Sequence, residues 1–208
     1  MAETYQYDDL THDSELDPDP VEAFKLWFDR AKATEHSVPD AMTLSTVSAE
    51  GQPKSRIVLL KDFGSDGFVF YTNYKSSKAD EMALSARAAL TFHWKIQGTQ
   101  VRIEGTVEKV PAEVSRKYFS SRPRESRLSA WVSDQSSPIP DRAYLEEKLL
   151  ELEARYPGDD IPLPPFWGGY RVTPNRFEFW IGKPDRLHDR FEYTLENGGW
   201  KRVRLVGL

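Results

Sequence analysis

The sequence predicts an α+β fold in which an antiparallel, closed or nearly closed β-barrel carries peripheral helices. Three observations support it. About seven or eight short β-rich runs recur along the chain, separated by Gly, Pro, Asn and Asp turn signals. Helical spacing is confined to a few intervals, too few to supply the crossovers of a parallel βαβ sheet. The 208 residues include 11 Phe, 9 Tyr and 6 Trp, enough large side chains to fill one substantial core.

Residues 1–16 are acidic and polar with no apolar period, and are expected to form a flexible arm or lid ahead of a single domain over 17–208. Asp17-Pro18-Asp19-Pro20 supplies acidic capping and a proline at a helix start. Val21, Phe24, Trp27, Phe28 and Ala31 then follow at helical spacing, so the first helix is placed here. From Ala41 to about Trp94 the pattern changes to β-rich runs, broken at Glu50-Gly51-Gln52-Pro53 and at Gly64-Ser65-Asp66-Gly67, which predicts an antiparallel meander. A helical interval from roughly Ser76 to Arg87 interrupts it. Ala89 to Trp94 and Gln100 to Val107 resume it as a hairpin across Gln97-Gly98. One helix is expected to begin near Pro111 and another to run from about Asp141 to Tyr156, its Leu145, Leu149, Leu152 and Tyr156 facing the core. After the proline-rich Ile161-Pro162-Leu163-Pro164-Pro165, β-rich pieces return at Tyr170 to Thr173 and Phe177 to Ile181, and a last hairpin turns at Asn197-Gly198.

Composition removes several function classes. A net charge of −5 gives no global reason to bind nucleic acid or an anionic membrane, so any anion site must be local. The chain has no Cys, which excludes disulfides, thiolate nucleophiles and Cys-ligated metal sites. No run approaches the ~20 apolar residues of a membrane span, the start lacks the pattern of a signal peptide, and the cytoplasm is the expected compartment. Neither G-x-x-x-x-G-K-[ST] nor G-x-G-x-x-G occurs, and there is no G-x-S-x-G elbow. His12, His36, His93 and His188 are scattered without H-E-x-x-H spacing, so no metal site is expected.

The chemistry that is present suits phosphate monoesters. Arg56 and Lys61, then Ser76-Ser77-Lys78, then Tyr118 with Arg122-Pro123-Arg124 place cations beside hydroxyls, amides and aromatic rings. Arginine offers a phosphate a planar fork of donors, and lysine a compact charge. Taken singly, each of these cations reads first as a solvated surface residue. Phe179 to Arg190 concentrates Trp180, His188 and two arginines after a strand, and strand alternation would point Arg186, His188 and Arg190 to one side. A polar strand with Asp189 paired to an arginine is the plain alternative. Gln135-Ser136-Ser137 could donate to a phosphate or form only a turn.

Read in order, seven blocks resemble the pyridoxamine 5′-phosphate oxidase family over nearly the whole chain. They are Arg56-Ile57-Val58-Leu59-Leu60-Lys61, Phe70-Tyr71-Thr72-Asn73, Gln100 to Gly105, Tyr118 to Pro123, Gln135-Ser136-Ser137, Trp167-Gly168-Gly169-Tyr170 and Arg186-Leu187-His188-Asp189-Arg190. The resemblance implies an FMN-binding split β-barrel that forms a homodimer with flavin sites at the subunit interface. It implies that Arg56, Ile57, Val58 and Leu59 line the flavin, that Tyr71 and Thr72 hold it, and that Ser77 and Lys78 lie near its phosphate. Gln100, Gln135, Ser136, Trp180 and Arg190 would complete that shell. Lys61, Tyr118, Arg122 and Ser126 would hold the substrate phosphate, with Arg186 and His188 as catalytic residues against the pyridine ring. The implied reaction oxidises pyridoxamine or pyridoxine 5′-phosphate to pyridoxal 5′-phosphate, with O2 as acceptor and H2O2 as product.

Some positions depart from the family pattern. Ser77 stands where the family's Ser-Arg-Lys block has an arginine, Ala2-Glu3-Thr4 precede Tyr5 without the usual basic residue, Asp134 replaces a common His, and the chain ends Val206-Gly207-Leu208. Two other functions compete. One is a split-barrel flavin oxidase of another aromatic substrate, such as the phenazine-pathway relatives; the other is a non-catalytic carrier of FMN or pyridoxal phosphate. The second phosphate set, Lys61, Tyr118, Arg122 and Ser126, argues against the first, and Arg186 with His188 against the second.

Overall fold

Asp19 opens the first helix as the sequence predicts: its side chain accepts the Val21 amide at 2.8 Å, and Pro20 occupies the first turn, where a missing N–H is harmless. The computed structural model, which describes residues 16–132, 135–183 and 186–207, gives this helix, α1, as Pro20–Thr34. Its apolar stripe plugs the interior of the sheet. Phe24 is fully buried and meets Phe28, Phe63, Phe68, Phe92 and Trp94 at ring-centroid separations of 4.9 to 5.9 Å.

The strands are β1 (Ala41–Val47), β2 (Pro53–Leu59), β3 (Asp62–Gly64), β4 (Gly67–Asn73), β5 (Arg87–Trp94), β6 (Thr99–Lys109), β7 (Trp167–Ile181), β8 (Asp189–Glu196) and β9 (Gly199–Leu205). All pair antiparallel in one sheet of order β2-β1-β5-β6-β7-β4-β3, with β8 beside β7 and β9 beside β8. Among the described residues no pairing joins β2 to β3, so the sheet is a split barrel that hydrogen bonds do not close. The predicted meander is corrected in the same way: β3 and β4 leave the β1–β2 hairpin, and β4 pairs with β7 across the molecule.

The two β-rich pieces predicted near 170 and 177 are one strand. β7 runs unbroken for 15 residues, absorbing Pro174 at a register shift opposite Glu104/Gly105. Its first half pairs with β4 and its second half with β8, while β6 lies along its other edge. The hairpin at Asn197-Gly198 is present, both residues having positive φ (52° and 81°) as a tight turn requires.

The helices between strands are α2 (Ser77–Ser85), α3 (Ala112–Ser121), α4 (Arg124–Val132) and α5 (Arg142–Arg155). The single helix expected after Pro111 is split into α3 and α4, because Pro123 forces Arg122 into extended backbone (ψ 149°). Helix α5, expected to face the core, has no buried residue. Leu149, Leu152 and Tyr156 are half-buried against a second, smaller core of Phe119, Leu128, Ala130, Ile161 and Trp167. The predicted arm lies outside the described residues up to position 15. Leu16 at its end is buried, and its carbonyl accepts Arg202 Nη1 at 2.7 Å.

Candidate active site

The second core leaves a cleft where it meets the edge of the sheet. Ile57, Val58 and Leu59 of β2, Tyr71 and Thr72 of β4, and Lys78 of α2 face Tyr118, Arg122, Gln135 and Trp167 around a cavity of about 300 Å³, with Lys61 at its margin. Ile57, on the terminal strand of the sheet, is 63% exposed and offers apolar surface to the cavity.

Three cations reach this cavity, and each is held differently. Lys61 donates to Asp40 Oδ2 at 2.8 Å. Lys78 donates to Gln135 Oε1 at 2.8 Å and to Thr72 Oγ1 at 3.3 Å. Burial, and then the charge of Arg56, push the Lys78 ammonium below the ordinary lysine range, with Glu81 opposing them. Ser77 and Lys78 open α2, so free amides and the positive end of the helix lie beside that ammonium, and the Ser77 amide donates to Ser136 Oγ at 3.3 Å. Arg122 stacks instead: its guanidinium lies 4.7 Å from the Trp167 ring centroid, and its Nη1 is buried without a hydrogen-bond partner. Burial lowers the Arg122 pKa, the neighbouring Tyr118 opposing it.

The aromatic wall is a parallel stack. Tyr71 and Tyr118 lie 3.9 Å apart at 16°, and Trp167 lies 5.4 Å from Tyr71 at 12°. Burial, then the nearby Tyr118, push the Tyr71 hydroxyl up to about 12, so it stays protonated. The two glycines after Trp167 let β7 lie flush against this stack. A Cβ at Gly168 would sit 2.1 Å from the Tyr74 hydroxyl, and one at Gly169 would sit 2.7 Å from Val110 Cγ2 and 2.9 Å from the Tyr71 ring.

Four predicted residues of these elements are not in the lining: Ser77 and Ser136, which bond each other beside Lys78, and Arg56 and Ser126. Arg56 is bound to Glu81 (Nη2 to Oε2, 2.8 Å) and to Thr46, behind β2. Ser126, in the first turn of α4, is half-buried and is not among the lining residues.

A second set assembles elsewhere. Gln100, Trp180 and Arg190 are side by side on β6, β7 and β8. Arg190 grips Glu178 through Nε and Nη2, both at 3.1 Å, and donates to the Val206 carbonyl at 3.0 Å. Glu178, 3% exposed, also accepts from Arg102. The His188 ring lies 4.7 Å from Trp180, and its Nδ1 accepts the Lys183 amide at 3.1 Å, which leaves the proton of the neutral ring on Nε2. Arg186 is exposed in a left-handed conformation (φ 59°), ahead of β8. Strand alternation therefore does not align Arg186, His188 and Arg190, because only Arg190 is in a strand. None of this set lines the cavity of its own chain.

Sequence reasoning named most of the lining but missed what supports it: Trp167 under Arg122, Asp40 on Lys61, Glu81 on Arg56 and Glu178 on Arg190. Trp167 was visible as part of a recognised block but with no role assigned, Glu178 only beside the Phe179 to Arg190 segment, and the spacing of Glu81 from Arg56 carries no signal. Asp134 lies outside the described residues, as do Ala2 to Tyr5 and Leu208. Among the described residues no group of three His, Asp or Glu could hold a metal ion, and no helix is long and apolar enough to cross a membrane.

Comparison with known proteins gives a consistent set of relatives. The family described as pyridoxamine 5′-phosphate oxidase matches residues 30–156, and the one described as pyridoxine 5′-phosphate oxidase C-terminal dimerisation region matches residues 167–206. A pyridoxine/pyridoxamine 5′-phosphate oxidase of Gloeothece citriformis is 50% identical over 206 residues, covering 99% of this chain and 96% of the relative. Pyridoxine/pyridoxamine 5′-phosphate oxidase 1 of Ralstonia nicotianae is 52% identical over 194 residues, covering 93% and 91%. Among solved structures, PhzG from Burkholderia lata in complex with tetrahydrophenazine-1-carboxylic acid superposes with a TM-score of 0.90 at 27% identity, over 96% of this chain and 99% of that one. A pyridoxamine 5′-phosphate oxidase-related, FMN binding protein from Nostoc punctiforme shares the fold, with a TM-score of 0.71 at 17% identity over 88% and 95%.

Proposed function

The chain belongs to the pyridoxamine 5′-phosphate oxidase family, and from that premise we propose that it oxidises pyridoxamine and pyridoxine 5′-phosphate to pyridoxal 5′-phosphate with FMN as cofactor and O2 as electron acceptor. The observation that carries this reading is the convergence of Lys61, Lys78 and Arg122 on one cavity walled by apolar and aromatic side chains. Two phosphorylated rings sharing a cleft need several fixed cations, since their dianions would otherwise repel.

The donor set fits FMN. Lys78, Thr72, Ser77 and the start of α2 offer charge and amides for its phosphate, Gln135 and Ser136 flank them, and Ile57, Val58 and Leu59 offer an apolar edge to its ring. When bound, the flavin supplies the hydride acceptor and returns the electrons to O2 as H2O2. The protein binds and orients. Arg122 and Lys61 fix the substrate phosphate, with Tyr118 beside them and Ser126 in the first turn of the following helix, α4.

Arg186, His188, Gln100, Trp180 and Arg190 belong to this site as residues of the partner subunit. This is supported by their absence from the cavity of their own chain and by the dimerisation-region match over 167–206. In that arrangement Arg186 covers the substrate ring, and His188 Nε2 presents a proton to the ring's polar substituents. The likeness to PhzG raises an unphosphorylated polycyclic substrate as the second reading; Lys61 and Arg122, in excess of what one flavin phosphate needs, favour the phosphorylated one.

The test is the visible spectrum of FMN-loaded protein, recorded without oxygen before and after addition of pyridoxamine 5′-phosphate. Bleaching that reverses on admitting air is expected. A spectrum that stays yellow would transfer the assignment to another substrate or to a carrier.

A further inference from the structure

Among the described residues, Arg122 is the one cation of the cavity with no polar anchor. Lys61 has Asp40, and Lys78 has Gln135 and Thr72, whereas among the described residues no carboxylate pairs with Arg122 and its Nη1 is buried without a partner. A guanidinium in that state is costly unless a ligand completes it, and a side chain with its rotamer freedom would otherwise turn to water. What restrains it is aromatic: the Trp167 face lies 4.7 Å from the guanidinium carbon and the Phe119 ring 5.9 Å from it. Trp167 is in turn fixed, being 8% exposed, edge-on to Phe119 at 5.4 Å and parallel to Tyr118 within 6°.

We propose that Trp167 is a positioning residue for substrate recognition: its indole face holds the Arg122 guanidinium flat at the cavity wall, where it takes the phosphate monoester of the substrate. The proposal rests on the reading that the cavity takes a phosphorylated substrate. Indole is the side chain with the strongest attraction for a cation over its face, and that attraction grows where water is excluded. A carboxylate in the same place would hold Arg122 as firmly but would compete with the phosphate and repel it. An aromatic partner orders the fork and leaves all its hydrogen-bond donors to the ligand. Trp167 thereby discriminates phosphorylated from unphosphorylated substrate while touching neither phosphate nor the reacting carbon.

The experiment measures binding of pyridoxal 5′-phosphate and of pyridoxal to FMN-loaded protein by calorimetry, in wild type, Trp167→Met and Trp167→Phe. Methionine fills the space without a ring face, and phenylalanine restores one. Trp167→Met is expected to weaken pyridoxal 5′-phosphate about tenfold and leave pyridoxal unchanged, while Trp167→Phe recovers most of the loss. Steady-state turnover should show the same change in KM, with kcat nearly constant. In an Arg122→Gln background the Trp167 substitutions should add no further loss. Equal weakening of both ligands, or a fall in kcat at constant KM, would overturn the proposal. If Trp167→Met loses its circular dichroism spectrum, the wild type still decides: the Arg122 Nε–H resonance, assigned with Arg122→Lys, must show a ring-current shift, and its absence would overturn the assignment. Wild type that binds pyridoxal as tightly as its phosphate would instead refute the functional reading itself.

Discussion

Glu81, on the buried face of α2, is 5% exposed, accepts from Thr46 and Arg56 and pairs with Lys54 at 3.2 Å. Burial alone would raise its pKa, but the hydrogen bonds from Thr46, Arg56 and Lys54 outweigh it and hold the carboxyl below the ordinary range. The linkage follows in sign. A carboxyl depressed in the folded state stabilises fully above its unfolded value of about 4.3, and that stability is lost as pH falls through the folded value. Glu81→Gln should therefore cost about 1–3 kcal/mol at neutral pH, because it weakens charge-assisted hydrogen bonds to cations that keep partial access to water, Arg56 at 21% and Lys54 at 47% exposure. It should also flatten the loss of thermal midpoint between about pH 5 and pH 3 relative to wild type. Parallel melting curves across that window would show that Glu81 carries no such linkage. This residue marks the limit of reading a site from sequence. Lys61, Lys78, Tyr118 and Arg122 were legible because cations amid hydroxyls and rings advertise anion chemistry, and the family blocks ordered them. The supports were not: Glu81 is 25 residues from the Arg56 it holds and Trp167 is 45 from the Arg122 it stacks on, and only the fold brings them together.

At the scale of elements, β7 organises the molecule. It pairs with β4, β6 and β8, carries Trp167 at one end and Trp180 at the other, and so connects the cavity to the second residue set. The close approach at Gly169 makes this testable. In Gly169→Ala the new methyl would meet Val110 at 2.7 Å and the Tyr71 ring at 2.9 Å, neither of which can swing into open space. The expected outcome is a loss of about 1–3 kcal/mol in stability, read as a lower denaturant midpoint, together with weaker FMN binding as Tyr71 is displaced. Unchanged FMN affinity in a destabilised variant would separate packing from the site. The strand itself was only half legible. Caps, turns and apolar period announced α1 and both hairpins, but Pro174 reads as an interruption, and a bulge that tolerates it has no local signature. Likewise the left-handed Arg186 breaks an alternation that the residue types alone suggested.

For the whole molecule, the open sheet sets two residue groups apart: the cavity edged by β2, and the Trp180–Arg190 face with Arg186 and His188 beside it. Sequence implied a closed or nearly closed barrel. Short-range pattern cannot say which strand edges stay unpaired, and those edges decide where a second subunit can contribute. If each site joins the cavity of one protomer to the second set of its partner, Arg122→Gln and Arg186→Ala damage different halves of the same site. Each homodimer would then be defective at both sites. A heterodimer of the two variants would hold one doubly damaged site and one intact site. In a statistical mixture half the dimers are mixed and half of their sites are intact, so about a quarter of wild-type activity should return in an isologous dimer. Co-expressing the two variants with different affinity tags, isolating the doubly tagged dimer and measuring kcat/KM for pyridoxine 5′-phosphate checks this directly, with about half of wild-type activity expected in that purified species. If both sets serve a site within one chain, every site in the mixed dimer carries one defect, no activity returns, and the interfacial arrangement is wrong.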